Sequence, residues 1–237
     1  MNPSPANATP LSLTSLLRGE TETIAAWSAG RLARQWAFHL AVIVVGAGAY
    51  GAAMGWWRSP EQALYVAIKF PLIILLTTLG NALINGMLAP LLGLNIPFRQ
   101  SANAVIMSFT ISAAILGGFS PLVAFLVWNT PPLSSAAVTA LAYNSILLTH
   151  VAAIALAGTA GNMRLFQLLV RLGGNRPTAI RVQLAWLSGN LFLGSQLVWI
   201  GRPFIGAPTL PVEFLRPNAL AGNFYEAVLH SIQQLMP

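Results

Sequence analysis

The stretch from Ala63 to Leu94 is almost wholly apolar and too long for a straight membrane crossing. About 20 apolar residues suffice for a hydrocarbon core of roughly 30 Å. This run goes further, broken only by Lys69-Phe70-Pro71, Gly80-Asn81 and Asn85-Gly86. Composition settles what solvent it meets. Charged residues are 7% of the chain and hydrophobic residues 56%. Soluble domains carry roughly a quarter charged residues, so a chain this poor in charge cannot clothe its own surface. The fold class that follows is all-α, a polytopic membrane protein.

Five crossings are expected, at Trp36–Trp57, Ala63–Leu92, Ala104–Trp128, Ser134–Gly158 and Val182–Ile200, within a membrane domain over 36–200. Residues 1–10, rich in Pro, Asn and Ala, have little to bury and are expected to be disordered. Residues 11–35 read as an interfacial amphipathic segment, with Leu11, Leu13, Leu16 and Leu17 followed by Ile24, Trp27, Arg31 and Arg34 at helical spacing. Pro71 is expected to bend the second crossing, and Gly117-Gly118 with Pro121 the third. Residues 162–181 read as a basic loop whose Leu165–Leu172 part is too short to span and lies at the interface. Residues 201–237 form an outer cap ending in a short amphipathic helix with Phe224, Val228, Ile232 and Leu235 on one face. No charged, apolar and cleavable leader is evident, so a cleaved signal peptide is not expected.

The net charge of +7 is a topology signal here and not a nucleic-acid surface, because the arginines fall in the loops. Arg18, Arg31, Arg34, Arg99, Arg164, Arg171, Arg176 and Arg181 lie to one side of the expected crossings. Arg58, Arg202 and Arg216 lie to the other. That asymmetry predicts a cytoplasmic N-terminus and an outside C-terminus.

Catalytic chemistry has little to stand on. The chain has no cysteine, which excludes thiol catalysis and thiolate metal sites. His39, His150 and His230 are far apart, no His-Glu pair shares a helix face, and no crossing holds a carboxylate. Neither phosphate loops nor dinucleotide motifs occur. No enzyme activity, metal or cofactor is expected.

The candidate polar site within the membrane is Lys69, Asn81, Asn85, Asn144, His150 and Gln196, with Asn190 alongside. Lys69, the only lysine, either snorkels to the outer headgroups or faces a polar cavity and an anionic headgroup. Asn81 and Asn85 lie one turn apart on one face; they either bond a neighbouring helix or line a path. Asn144, Asn190 and Gln196 carry the same two readings. His150, placed towards the cytoplasmic half, reads as a hydrogen-bonded packing residue, as does His39. Ala47, Gly51 and Gly55, with Gly48, form a ridge that lets another helix approach. Arg202, Glu213, Arg216 and Glu226 make the only mixed-charge group, read as a salt-bridged outer cap.

Several segments are similar to a known family. Tyr50-Gly51, Met54-Gly55 and Ala67-Ile68-Lys69-Phe70-Pro71-Leu72 open the pattern. It continues through Phe119-Ser120-Pro121, Tyr143-Asn144 and Gln196-Leu197-Val198-Trp199. Arg202-Pro203-Phe204-Ile205-Gly206, Pro211-Val212-Glu213-Phe214-Leu215-Arg216 and Gly222-Asn223-Phe224-Tyr225-Glu226 complete it. Together they resemble bacterial multi-spanning membrane proteins related to the Yip (Ypt/Rab-interacting protein) domain. The resemblance implies five membrane helices, a cytoplasmic N-terminus and the bacterial inner membrane. Eukaryotic relatives act in vesicle traffic and membrane shaping, which reaches this chain only as analogy of fold.

Two function classes follow. The first is a non-enzymatic integral membrane protein that organises a membrane assembly or membrane shape. Its partners are lipid and either its own copies or a larger membrane complex. The second is an oligomeric channel or carrier for small ions or solutes, lined by Lys69, Asn81, Asn85, Asn144 and His150. The Pro71 bend and the C-terminal cap are expected to pack together at the outer face.

Overall fold

The computed structural model describes residues 13–20, 32–131, 136–173, 175–206 and 210–226, with side chains from 34 and from 141 in the second and third of these segments. Among the described residues six helices follow in order: α1 (Leu13–Arg18), α2 (Leu32–Trp56), α3 (Pro60–Leu91), α4 (Phe98–Trp128), α5 (Ala136–Gly173) and α6 (Arg176–Gly201). The described residues contain no strand. Residues 1–10, the Ile24, Trp27 and Arg31 face, His230 and the Val228, Ile232 and Leu235 face lie outside them.

Among the described residues four helices are long and apolar enough to cross a membrane: Arg34–Trp56, Pro60–Leu91, Phe98–Trp128 and Leu141–Gly173. The expected fifth, α6, has 26 residues. At about 1.5 Å per residue its length suffices. Arg181, Gln183, Asn190 and Gln196 make it less apolar than the others.

The expected boundaries shift in instructive ways. α3 is one continuous helix through Pro71, the two asparagines and Pro90. Ser59 caps it by accepting from the Gln62 amide, and Pro60 stands in the first turn, where its missing N–H costs nothing. α4 likewise runs unbroken past Gly117-Gly118 and Pro121. The clearest correction concerns α5, which continues to Gly173 and absorbs the segment expected to be an interfacial loop. Leu165, Leu168 and Leu169 recur at helical spacing and are buried against α4 and α6 residues, including Val105 and Trp186. Nothing breaks the helix before Gly173-Gly174, and Asn175 and Pro177 then start α6, with Asn175 accepting from the Thr178 amide at 2.8 Å.

Five long helices therefore run up and down. One end carries Arg99, Arg164, Arg171, Arg176 and Arg181, and the other carries residues 202–206 and 210–226. α2 packs against α3 and α4, while α3, α4, α5 and α6 close a ring in which α3 and α5 face each other across the middle. The small-residue ridge is spent inside the chain. A Cβ at Gly51 would stand 2.6 Å from the Val66 carbonyl oxygen, and one at Gly55 2.6 Å from that of Gln62. α2 and α3 thus touch backbone to backbone, as dispersion-driven packing in lipid favours. Gly117 meets Gly46 in the same way between α4 and α2, where a Cβ would lie 2.8 Å from the Gly46 Cα.

α1 differs from the expected surface helix. Its Leu16 is fully buried among α3, α4 and α5 residues at the arginine end. Arg164 of α5 donates to the Leu17 carbonyl at 2.9 Å, which ties the short helix to the bundle.

Candidate functional site

The predicted polar residues do not form one site. Lys69, His150, and Asn81 with Asn85 fall in three separate places, and Asn144 and Gln196 lie apart from them.

The first is the junction of α3 with the C-terminal cap. Lys69 is 2% exposed. It neither snorkels nor faces an open cavity. Its ammonium donates to the carbonyls of Pro203 at 2.5 Å and Phe214 at 2.8 Å. The Phe204 and Phe214 rings lie 5.6 and 5.5 Å away, within the range of cation–π attraction. About two turns earlier, Gln62 is fully buried and donates to the Pro203 carbonyl at 3.0 Å and the Phe204 carbonyl at 2.7 Å. These bonds satisfy carbonyls of an irregular segment that has no helical partners of its own. Arg58 adds a bond to the Leu210 carbonyl at 2.9 Å. The packing of the helix around Lys69 against the cap is as expected; its chemistry is not. Among the described residues no ion pair joins Arg202, Glu213, Arg216 and Glu226. Arg202 instead lies 3.3 Å from the centre of the Trp199 ring and donates to the Trp199 carbonyl. Desolvation, and then the neighbouring Arg216, lower its pKa from the ordinary arginine value. Asn223 accepts from the Glu226 amide at 2.9 Å and so caps the helical turn that begins at Phe224.

The second place is Tyr50 of α2 against His150 of α5. The tyrosine hydroxyl and His150 Nδ1 are 2.8 Å apart, with the rings edge to face at 5.4 Å. Both residues are buried. The sequence reading places His150 towards the cytoplasmic half. The longer α5 puts it in the half nearer the cap, because the helix continues past Gly158 to Gly173. His39 bonds Thr110 at 2.8 Å in a similar interhelical contact.

The third place lies where α3, α4, α5 and α6 converge. Asn81 donates to the Thr77 carbonyl at 3.0 Å and to Asn190 Oδ1 at 3.3 Å, which links α3 to α6. Gln183 of α6 donates to Asn162 Oδ1 of α5 at 2.9 Å. Asn85 and Trp186 are buried beside them. Asn144 is exposed on α5 and Gln196 half-buried on α6. Along α3, Lys69 and Asn81 are separated by about 18 Å of helix.

Sequence reasoning missed Asn162, Gln183 and Trp186 as members of this cluster. Two of them fell in or beside the supposed basic loop. The signal that would have found them is the apolar spacing of Leu165, Leu168 and Leu169, with no proline before Pro177. Among the described residues, no three His, Asp or Glu side chains stand close enough to hold a metal ion. The chain matches no protein-family model, no curated protein and no solved structure.

Proposed function

We propose that this chain is a non-enzymatic, multi-pass membrane protein that organises a membrane assembly or membrane shape. In this reading it lies in a bacterial inner membrane with five crossings, its N-terminus inside and its C-terminus outside. It acts as a homo-oligomer or as a subunit of a larger complex. The observation that carries it is the use made of the polar groups at membrane depth. Lys69 is bonded to the cap and His150 to Tyr50, both within the chain. A solute path needs such groups to face a continuous wet passage; these are spent on holding helices together.

Asn144 supports the oligomeric part. It is exposed on an α5 face that also shows Leu141, Leu148 and Val151. An amide at that depth is poorly served by lipid and gains from a facing helix. The same residue supports a second reading, in which copies arrange Asn144 around an axis and pass small solutes.

Two measurements separate these. Because the chain has no cysteine, Asn144→Cys introduces a unique thiol. Disulfide-linked dimers in native membranes, absent for a cysteine at Leu220, support the assembly. Proteoliposomes loaded with an ion-sensitive dye test the path. Flux that disappears in Asn144→Leu establishes the channel and removes the scaffold reading.

A further inference from the structure

The ring of α3, α4, α5 and α6 encloses a groove of about 790 Å3. That is within the range of small-molecule sites. Most of its wall is apolar, and among the described residues no charged side chain lines it. Ile154 and Met163 on α5 and Leu191 and Val198 on α6 line it while remaining substantially exposed, so it opens between those two helices. In a bilayer, that opening faces lipid.

An alkyl chain would satisfy the walls but not the floor. Asn162 and Asn190 line the groove and also a pocket of about 20 Å3 behind it, which reaches Asn81, Asn85 and Trp186. Asn81 and Asn85 are 1% exposed and Trp186 2%. Asn81 Oδ1, Asn85 Oδ1, Gln183 Oε1 and the Trp186 indole N–H are buried without hydrogen-bond partners. Buried polar groups in native proteins are nearly always paired, and an unpaired set beside a groove calls for a ligand or water. A pocket of this size admits one water or one hydroxyl, and no phosphate or ammonium head. A ketone or ester oxygen only accepts and could serve the indole alone. A hydroxyl donates and accepts, and it serves the site whichever way the amides are turned.

We infer that this groove binds a neutral lipid bearing a free hydroxyl, with its chain between α5 and α6 and its hydroxyl at the Asn81, Asn85 and Trp186 pocket. The site is independent of the assembly role proposed above.

The test uses the full chain in phosphatidylcholine vesicles with a diacylglycerol that carries a photoactivatable diazirine in one acyl chain. The comparison probes are the same lipid with its hydroxyl capped as a methyl ether, and the matching phosphatidylcholine. Labelling by the free diacylglycerol is expected at least tenfold above both, with crosslinks on the α5 and α6 walls. Gly158 lines the groove, and a Cβ there meets nothing within 4 Å. Gly158→Phe should therefore fill the groove without moving backbone and bring labelling down to the level of the ether. Asn85→Leu, and Trp186→Phe as a gentler loss of the donor, should lower diacylglycerol labelling and leave the ether unchanged. Equal labelling by all three probes overturns the inference and leaves only lipid surrounding the protein. Preference for phosphatidylcholine overturns it, and so does labelling indifferent to Gly158→Phe.

Discussion

Replacing Lys69 with methionine removes the ammonium and keeps much of the side chain's length and apolar contact. In the native protein that ammonium bonds two carbonyls of the cap. A hydrogen bond to a charged group contributes about 1.5–3 kcal/mol. Desolvating the ammonium costs several kcal/mol and offsets part of this. The carbonyls of Pro203 and Phe214 lose a donor together, although Gln62 still holds Pro203. We expect a net loss of about 2–4 kcal/mol in cap docking. At about 1.4 kcal/mol per factor of ten, the cap should open about 30- to 700-fold more often. Hydrogen exchange in micelles reads this directly. The Ala219 and Ala221 amides donate to Arg216 and Asn218 within the cap, and their exchange should accelerate by that factor. Amides of α4 near Ser108 should stay unchanged. Unchanged exchange at Ala219 and Ala221 refutes the argument, because it means the cap does not depend on the ammonium. Acceleration spread evenly over the whole bundle also refutes it, since the defect is then general.

Gly51→Ala places a methyl group against the Val66 backbone and should destabilise the bundle by about 1–3 kcal/mol, seen as a lower melting temperature in detergent. Gly158→Ala meets open space and should be neutral or stabilising by about 0.5–1 kcal/mol, since Ala favours the helix interior. Tyr50→Phe leaves the buried His150 Nδ1 without its partner and should cost about 1–3 kcal/mol; a double-mutant cycle with His150→Phe should recover part of that loss. Arg164→Ala removes the bond to the Leu17 carbonyl; a cysteine at Leu16 should then react with maleimide markedly faster than in the native background.

The long apolar helices and the all-helical class of the described residues were legible in the sequence because they depend on totals. Few charges and long apolar runs leave the backbone one economical way to bond itself in lipid, which is the helix. Helix ends were less legible. Ser59-Pro60 and Asn175 with Pro177 are local capping chemistry, yet the end of α5 is ambiguous in the sequence, because Gly158 is a glycine among small residues that can end a helix or continue it. Tertiary packing decided that case, through the burial of Leu165, Leu168 and Leu169 against α4 and α6. The small-residue ridge announced a close helix approach but not its partner, which proved to be α3 of the same chain.

Lys69 shows the division most clearly. A lone lysine in an apolar run tells of a special position from sequence alone, since an unpaired charge there is costly. Its partners are backbone carbonyls more than 130 residues away, and backbone carbonyls leave no mark in composition or spacing. The same holds for the amides of Asn81, Asn85, Asn162 and Asn190. Each was visible as a polar residue or a loop residue, but only the ring of four helices brings them to one floor. Local sequence specified which segments are helical and apolar; long-range packing specified which polar groups meet, because that depends on helix length, rotation and neighbour together.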